Sequence, residues 1–247
     1  MYRIAKRKSA KQITAEWDAL APLRLMQIAS GVDITYRRFL TPNIIKLTSH
    51  FTTENIIDAG CGIGFLTDAL AKRFSNVIGI DPSPESIKIA KSRYGARATY
   101  VRGTLENYSR KNENSANVVV ANMVMMDVIK LNAFLSSAHH VLNAGGILVF
   151  SITHPCFWPS YYGYKDEPWF DYQKHLVIEG PFKISAMPRQ KRASTHVHRP
   201  LSAYTAAFKE ARFHIEVLLE PMPSKTLQRH YPMPWAYPRY IIGACRK

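Results

Sequence analysis

The fold of this chain is decided by one stretch, Asn55-Ile56-Ile57-Asp58-Ala59-Gly60-Cys61-Gly62-Ile63-Gly64-Phe65-Leu66. An apolar run ends in an acid, three alternating glycines follow, and the next residues have the apolar spacing of a helix. This pattern predicts a buried parallel strand, a tight turn and a helix. Glycines suit such a turn because they accept positive φ and let a ligand lie against the backbone. The dinucleotide fingerprint Gly-x-Gly-x-x-Gly needs a third glycine where Phe65 stands, so this turn follows a different pattern.

A second acid follows at a spacing that suits a nucleotide site. The run Asn76-Val77-Ile78-Gly79-Ile80-Asp81 is again apolar and ends in an acid, and Asp81 stands 21 residues after Gly60. A carboxylate at the tip of a second strand can accept hydrogen bonds from both ribose hydroxyls of an adenosine ligand. Pro82 and Pro84 then precede a helix, as prolines do in a first turn.

Strands and helices alternate along the rest of the chain. Further strands are predicted at 98–103, 116–121, 147–152, 214–219 and 240–245, and helices at 130–142 and 201–213. Such alternation favours a parallel sheet with right-handed crossovers and ligands outside the strand C-termini. The predicted fold class is α/β, with a mostly parallel seven-stranded sheet, helices on both faces, N-terminal helices and an inserted aromatic lid.

The amino-acid composition limits the class of protein to which this chain can belong. Hydrophobic residues make up 47% of the 247 residues, which excludes a wholly disordered chain, and no stretch is apolar enough to predict a membrane span. A basic start without an apolar signal segment, and three scattered cysteines, predict a cytoplasmic protein with neither a disulfide framework nor a metal site. Residues 1–11 are predicted to form a flexible basic arm.

The net charge of +15 leaves two interpretations open. One is an affinity for nucleic acid, anionic membrane or acidic metabolites, and the other is a soluble basic enzyme. No membrane partner and no particular oligomeric state is predicted, and nucleic acid is disfavoured without being excluded.

The acid–glycine turn and the spaced second acid resemble the first motifs of class I S-adenosylmethionine-dependent methyltransferases, over roughly residues 50–155. Shorter stretches resemble a bacterial small-molecule branch of that family: Glu16-Trp17-Asp18, Asp33-Ile34-Thr35-Tyr36-Arg37, Ser151-Ile152-Thr153-His154-Pro155-Cys156-Phe157 and His198-Arg199-Pro200-Leu201-Ser202-Ala203-Tyr204. The resemblance implies a Rossmann-like sheet in a single domain. Its parts are an N-terminal helical cap (1–52), a cofactor-binding core (53–153), a substrate lid (154–200), and a C-terminal helix with closing strands (201–247).

The resemblance also implies roles toward S-adenosylmethionine and its product S-adenosylhomocysteine. The methionine end of the cofactor is expected to be held by Asp58 and the glycines Gly60, Gly62 and Gly64. The ribose is expected to be bound by Asp81 and Pro82, and the adenine by Thr104 and Leu105. Beside the methionine portion, the resemblance implies Asn122 and Met123. Many relatives carry an acid where this chain has Thr104, so the adenine amino group is expected to depend on the Leu105 backbone. Arg37 either reaches the cofactor carboxylate or is a solvated helix arginine.

The methyl acceptor is expected between two aromatic walls. Its predicted contacts are Trp17, Tyr36, Phe157, Trp158 and His198. His154, directly after the fifth strand, is the predicted catalytic base, since histidine titrates near neutral pH. The alternative is that His154 fixes the loop at Pro155 through a backbone hydrogen bond.

Three functions compete. The first is a methyltransferase acting on an oxygen, nitrogen or carbon atom of a small molecule. The second is a nucleic-acid methyltransferase, which is disfavoured because Asn122-Met123-Val124-Met125 replaces the Asp/Asn-Pro-Pro-Tyr motif of enzymes that methylate base amino groups. The third is a catalytically silent cofactor-binding partner protein.

Overall fold

The computed structural model describes residues 1–51, 54–187 and 192–247. The expected boundary between cap and core, at Thr52 and Thr53, lies outside the described residues. So do positions 188–191, which belong to the expected lid. The division of the chain into one domain with four parts stays a prediction.

The elements alternate much as the sequence predicts. The strands are β1 (Arg3–Ile4), β2 (Asn55–Ala59), β3 (Asn76–Asp81), β4 (Thr99–Arg102), β5 (Ala116–Asn122), β6 (Leu142–Thr153), β7 (Leu176–Pro181), β8 (Ala193–His198), β9 (His214–Leu219) and β10 (Tyr240–Arg246). The helices are α1 (Ala10–Ala29), α2 (Thr41–Thr48), α3 (Phe65–Ala71), α4 (Pro84–Tyr94), α5 (Leu105–Ser109), α6 (Leu131–Val141), α7 (Trp158–Tyr162), α8 (Leu201–Glu210) and α9 (Lys225–Gln228). A π-helical segment, Tyr36–Leu40, leads into α2.

Seven strands form the central sheet in the order β4-β3-β2-β5-β6-β10-β9. The pairs among β4, β3, β2, β5 and β6 are parallel, whereas β10 runs antiparallel to both of its neighbours. The prediction of a mostly parallel seven-stranded sheet is therefore confirmed. The order reverses direction at β2, whose neighbours are β3 and β5, and such a switch point is where ligands bind in open α/β sheets.

The sheet is covered on both faces because its central strands are apolar on both sides. Successive residues of β2, Ile56 and Ile57, belong to two different hydrophobic clusters, and so do Val118 and Val119 of β5. One cluster takes apolar side chains from α2 and α3, and the other from α6 and α8. This double burial holds the ends of the parallel strands in place.

The N-terminal segment is ordered, so the prediction of a flexible arm over residues 1–11 is wrong. Arg3 and Ile4 pair antiparallel with Glu179 and Ile178 of β7, and the Tyr2 ring is buried. Ser9 caps α1 through a capping box with Gln12. Helix α1 then continues through Pro22 without a break.

A second, three-stranded sheet lies in the order β1-β7-β8, and both of its pairings are antiparallel. We call it the lid sheet. Helix α1 packs against β8 on one side and α4 on the other, so α1 and the lid sheet together stand above the carboxyl ends of the central strands. Among the described residues, none of the helices has the length and apolarity that a membrane span requires.

Candidate functional site

A cavity of about 810 Å³ opens at the carboxyl ends of the parallel strands. Its floor is made of residues at the carboxyl ends of β2, β3, β4, β5 and β6, or directly after them: Gly60–Ile63, Asp81–Ser83, Gly103–Glu106, Asn122–Val124 and Thr153. Its roof is made by α1, the π-helical segment and the lid sheet. Small-molecule sites typically fall between about 300 and 1,000 Å³, so this cavity lies in the upper part of that range.

The glycine turn brings backbone to the cavity floor. Gly60 and Gly62 have φ of +73° and +52°, in the region that glycine tolerates best. A Cβ at Gly60 would stand 2.5 Å from Val124 Cγ2, whereas a Cβ at Gly62 would meet nothing within 4 Å. Gly60 therefore allows the turn to pack on the loop after β5, and Gly62 leaves its backbone open. Gly64 is not part of the cavity wall; it packs against Ala90 and Tyr100.

Asp81 closes the turn from the neighbouring strand. Its Oδ2 accepts the Gly62 N–H at 2.9 Å, and its Oδ1 accepts the Ser83 N–H at 2.8 Å. Burial raises the pKa of this carboxyl, while the two backbone donors lower it. A carboxylate has about four lone-pair sites, so two remain for ligand hydroxyls. Asp81 and Pro82 both line the cavity.

Asp58 lies beneath the turn and not in the cavity wall. The side chain is 1% exposed, and its Oδ2 accepts the Thr67 hydroxyl at 2.7 Å. Burial raises its pKa to about 7, Thr67 opposes that shift, and the Asp81 charge adds to it. Asp58 is thus placed to act on the cavity through its charge and not through contact.

The loops after β4 and β5 supply the remaining floor residues that the sequence singled out. Thr104 caps α5 by accepting the Asn107 N–H on its Oγ1 at 3.3 Å, and Thr104 and Leu105 both line the cavity. Asn122 and Met123 line it as well. Met123 has φ of +61°, and its N–H bonds the carbonyl and hydroxyl oxygens of Ser151, each at 3.0 Å.

Among the described residues, the arginine that reaches the cavity is Arg24, not Arg37. Arg37 donates from Nη1 to the Ile28 carbonyl at 2.9 Å and lies over the Phe65 ring, away from the cavity wall. Arg24 lines the cavity, where its Nη1 meets Asp33 Oδ2 at 2.7 Å. Arg24 could have been found from the sequence, because it follows Trp17 by seven residues and therefore lies on the same face of α1.

The acceptor wall is richer in aromatic rings than the sequence suggested. Trp17, Tyr36 and Trp158 line the cavity as expected. They are joined by Tyr161, Tyr162, Phe182 and Tyr240. Phe157 instead stacks on Tyr237 with ring centroids 5.2 Å apart, and His198 bonds the Tyr172 carbonyl through Nε2 at 3.0 Å. The structure therefore does not bring Phe157 or His198 to the main cavity.

His154 is engaged on both ring nitrogens outside the cavity wall. Its Nδ1 accepts the Cys156 N–H at 3.2 Å, so Nε2 carries the proton, and Nε2 meets Glu220 Oε1 at 2.5 Å. The ring is 2% exposed and lies 4.6 Å from the Phe157 ring. This geometry favours the second interpretation of His154, a histidine that fixes the loop after β6.

Asp18 is a residue whose role the sequence did not reveal. Its Oδ1 accepts the Ser83 hydroxyl at 2.7 Å and the Glu85 N–H at 2.8 Å. These bonds tie α1 to the N-terminus of α4, directly after Asp81. An acid is favourable there because the unpaired N–H groups of a helix start attract negative charge. The roof and the floor of the cavity are therefore joined beside the predicted ribose site.

The comparison with protein families decides the assignment. Residues 57–150 match the family model described as "Methyltransferase domain". This part of the chain is a class I methyltransferase domain. The match begins inside β2 and ends inside β6, so the methyltransferase domain includes the glycine turn, Asp81 and the loop after β5.

Curated relatives match part of the chain. A "Ubiquinone biosynthesis O-methyltransferase" from Azorhizobium caulinodans is 35% identical over 99 residues, which is 39% of this chain and 39% of that protein. The mitochondrial protein of the same name from Rattus norvegicus is 34% identical over 44% of this chain and 35% of its own length. The chain thus matches well under half the length of these relatives.

Solved structures resemble the fold over nearly the whole chain. An S-adenosylmethionine-dependent methyltransferase from Clostridium acetobutylicum superposes with a TM-score of 0.63 at 15% identity, over 93% of this chain and 98% of its own. The 1,6-didemethyltoxoflavin-N1-methyltransferase of Burkholderia thailandensis, solved with S-adenosylhomocysteine, gives a TM-score of 0.62 at 15% identity, over 98% and 92% of the two chains. At these identities the likeness shows the fold.

The floor residues fit the cofactor of this family, S-adenosylmethionine. Two lone-pair sites of Asp81 stay open for ribose hydroxyls, and Gly62 leaves open space where a side chain would stand. The Nδ2 donor of Asn122 is buried and has no hydrogen-bond partner among the described residues. An open glycine backbone and unused polar capacity at one strand edge suit an adenosine ligand with a polar tail.

Proposed function

We propose that this chain transfers the methyl group of S-adenosylmethionine to a small-molecule acceptor held between the glycine turn and the lid sheet. One observation carries the proposal: a single cavity of about 810 Å³ runs from the strand ends of the methyltransferase domain to an aromatic wall. The cavity is large enough for two small ligands side by side, and both reacting partners need to meet in one enclosed space.

On the cofactor side, Asp81 would accept the ribose hydroxyls, and the backbone at Gly60 and Gly62 would lie against the methionine portion. Thr104 and Leu105 would hold the adenine, with Asn122 and Met123 beside the sulfur. Asp58 would stabilise the positive charge of the bound cofactor from beneath the turn. S-adenosylmethionine supplies an electrophilic methyl group on a sulfonium, so the chain's main task is orientation, which can contribute roughly 7–11 kcal/mol.

On the acceptor side, the aromatic rings exclude water and pack on a flat ligand. Trp17, Tyr36 and Trp158 are the predicted contacts that reach this wall, and Phe182 and Tyr240 extend it. Aromatic faces also attract a sulfonium, by roughly 0.5–2 kcal/mol depending on desolvation. The curated relatives are named for O-methylation in ubiquinone biosynthesis, which supports a small molecule as acceptor. We place the reaction in the cytoplasm.

The test uses the full chain and two acceptor pools. The protein is incubated with S-adenosylmethionine and either a small-molecule extract or total RNA, and S-adenosylhomocysteine is quantified by mass spectrometry. We expect product with the small-molecule extract and none with RNA, and an Asp81→Ala control should yield less product when S-adenosylmethionine is not saturating. Product from RNA alone, or from neither pool, would overturn the proposal.

A further inference from the structure

His196 of β8 lies between the main cavity and a smaller one. It lines both, whereas Tyr164 lines the smaller cavity, of about 10 Å³, and not the main one. His196 is 8% exposed, and its Nε2 lies 2.9 Å from the Tyr164 hydroxyl. The two nitrogens of an imidazole ring point to nearly opposite sides, so Nδ1 is turned away from Tyr164 and toward the main cavity.

The bond to Tyr164 decides which nitrogen of His196 carries the proton. Tyr164 is 1% exposed, and in the part of the chain that the structure describes its hydroxyl has no other hydrogen-bond partner. A buried hydroxyl needs an acceptor for its proton, because an unpaired donor costs free energy. Tyr164 therefore donates to Nε2, and the neutral ring carries its own proton on Nδ1. The ring stays neutral because burial, followed by the charge of His198, lowers its pKa to about 3.

The Nδ1–H group of His196 is available to a ligand. None of the described residues bonds it, and the protein does not close it off as it closes off Asn122 Nδ2. Such a donor at a cavity wall bonds water until a ligand enters. A ligand that displaces this water keeps its affinity only when it supplies an acceptor atom in the same place. His196 therefore selects among the molecules that fit the cavity.

Aromatic rings surround this donor. The Tyr162 ring meets the His196 ring edge to face, with centroids 5.8 Å apart, and the Trp158 ring lies 4.4 Å from Tyr162. Trp158 and Tyr162 both line the main cavity. Aromatic side chains pack well on flat rings, so the space beside Nδ1 suits a flat ligand with a polar atom at its edge.

We propose that His196, fixed by Tyr164, donates a hydrogen bond from Nδ1 to the methyl acceptor, and that the acceptor is a flat ring compound bearing a carbonyl oxygen. This inference rests on the methyl-transfer function proposed above. A single uncharged N–H can offset the desolvation of a carbonyl oxygen, whereas a buried carboxylate needs more. His196 contacts the acceptor, and Tyr164 is a positioning residue that sets the tautomer.

The role of His196 is orientation and not proton transfer. Nε2 is occupied by the Tyr164 hydroxyl and Nδ1 already holds a proton, so the ring has no free lone pair for a proton of the acceptor. A ligand held at one edge by Nδ1–H and packed on aromatic rings can turn less. Methyl transfer gains from this because the attacking atom must lie in line with the methyl carbon and the sulfur.

Nitrogen NMR of the full chain with isotope-labelled histidine tests the tautomer. At neutral pH His196 should show a protonated Nδ1 and an unprotonated Nε2. Tyr164→Phe should shift the ring toward the opposite tautomer, because Nε2 loses its donor. Tyr231→Phe is the matched control and should leave the signals unchanged, since the Tyr231 hydroxyl bonds Thr35 and Tyr231 does not line the main cavity. A wild-type ring protonated on Nε2 would overturn the inference.

Two probes of the same shape test the donor. Acetophenone carries a carbonyl oxygen, and α-methylstyrene has a methylene group in its place. Both are titrated by NMR into protein saturated with S-adenosylhomocysteine, so that they meet only the remaining cavity. The wild type should bind acetophenone more tightly by roughly 3- to 10-fold, the usual effect of a neutral hydrogen bond. His196→Phe should abolish this preference, Tyr164→Phe should reduce it, and Tyr231→Phe should keep it.

Failure of the wild type to bind acetophenone, equal affinity for the two probes, or an unchanged preference in His196→Phe would each overturn the inference. Tighter binding of benzoate than of acetophenone would overturn it as well. Should His196→Phe fail to fold, Tyr164→Phe decides, because it removes a single oxygen atom. Failure to bind S-adenosylhomocysteine would instead overturn the proposed function and leave the tautomer result standing.

Discussion

The Gly62 N–H donates to Asp81 Oδ2 across 2.9 Å, which joins the turn after β2 to the tip of β3. Beside this bond, Asp18 joins α1 to the start of α4 through Ser83 and Glu85. The floor of the cavity and part of its roof are therefore held to one short segment, residues 81–85.

We expect Asp18→Ala to loosen the roof helix α1. The substitution removes an acceptor of two hydrogen bonds at a helix start, which should lower the free energy of unfolding by roughly 1–2 kcal/mol. Release of bound S-adenosylhomocysteine should also become faster, because α1 covers the cavity. Thermal unfolding and stopped-flow dissociation measure the two effects. Asp18→Asn, which keeps the acceptor oxygen, should show smaller changes, and equal changes in both variants would contradict the role of the hydrogen bonds.

The Asp58 carboxyl should make the stability of the ligand-free protein depend on pH. Burial raises its pKa from 3.8 to about 7, so the folded state holds the proton more tightly than the unfolded chain does between these values. The free energy of unfolding should therefore fall as pH rises through this window, by roughly 4 kcal/mol at most.

Urea titrations of the wild type and of Asp58→Asn test this dependence. The asparagine keeps an acceptor for Thr67 but cannot ionise, so the variant should gain stability relative to the wild type from pH 4 to pH 7. Asp166→Asn, at an exposed position, serves as the control. Parallel curves for the wild type and Asp58→Asn would show that Asp58 does not titrate in this range.

His154→Ala should destabilise the loop after β6 without removing a catalytic base. The ring fixes the Cys156 N–H and pairs with Glu220, so its loss should lower the melting temperature. The pH dependence of kcat should keep its shape, and affinity for S-adenosylmethionine should stay the same. A base would instead contribute roughly 10²–10⁴-fold. A loss of that size in a stably folded variant, together with loss of the acidic limb of the pH profile, would restore the base role.

The positive charge of the chain should give only weak binding to nucleic acid. A net charge of +15 attracts polyanions, but binding of this kind depends on counterion release and weakens steeply with salt. Gel-shift titrations at low and physiological salt should show a complex only at low salt. Tight binding at physiological salt would favour nucleic acid as the acceptor.

The floor of the site could be predicted because its signals are local. Gly60, Gly62 and Asp81 lie next to the strands that position them, and a strand end in a parallel sheet fixes where the following residues stand. The strand pattern was predictable for the same reason: buried β-branched runs such as 118–120 allow few other structures.

The roof could not be predicted because it depends on pairing between distant segments. β1 pairs with β7 across more than 170 residues, so nothing near Arg3 or Ile4 indicates a strand. The orientation of α1 brings Arg24 to the cavity and leaves Arg37 on the Ile28 carbonyl. Likewise, the position of His154 next to β6 did not reveal that Glu220, 66 residues later, engages its ring.

The central claim is that the cavity floor binds S-adenosylmethionine through Asp81, and isothermal calorimetry tests it most directly. The wild type should bind S-adenosylmethionine and S-adenosylhomocysteine, and Asp81→Ala should bind both more weakly by roughly 10- to 100-fold, since the ribose hydroxyls lose charge-assisted hydrogen bonds worth about 1.5–3 kcal/mol. Glu85→Gln, a neighbouring acid outside the cavity wall, should bind like the wild type. Unchanged affinity in Asp81→Ala, or preferential binding of NAD by the wild type, would contradict the account.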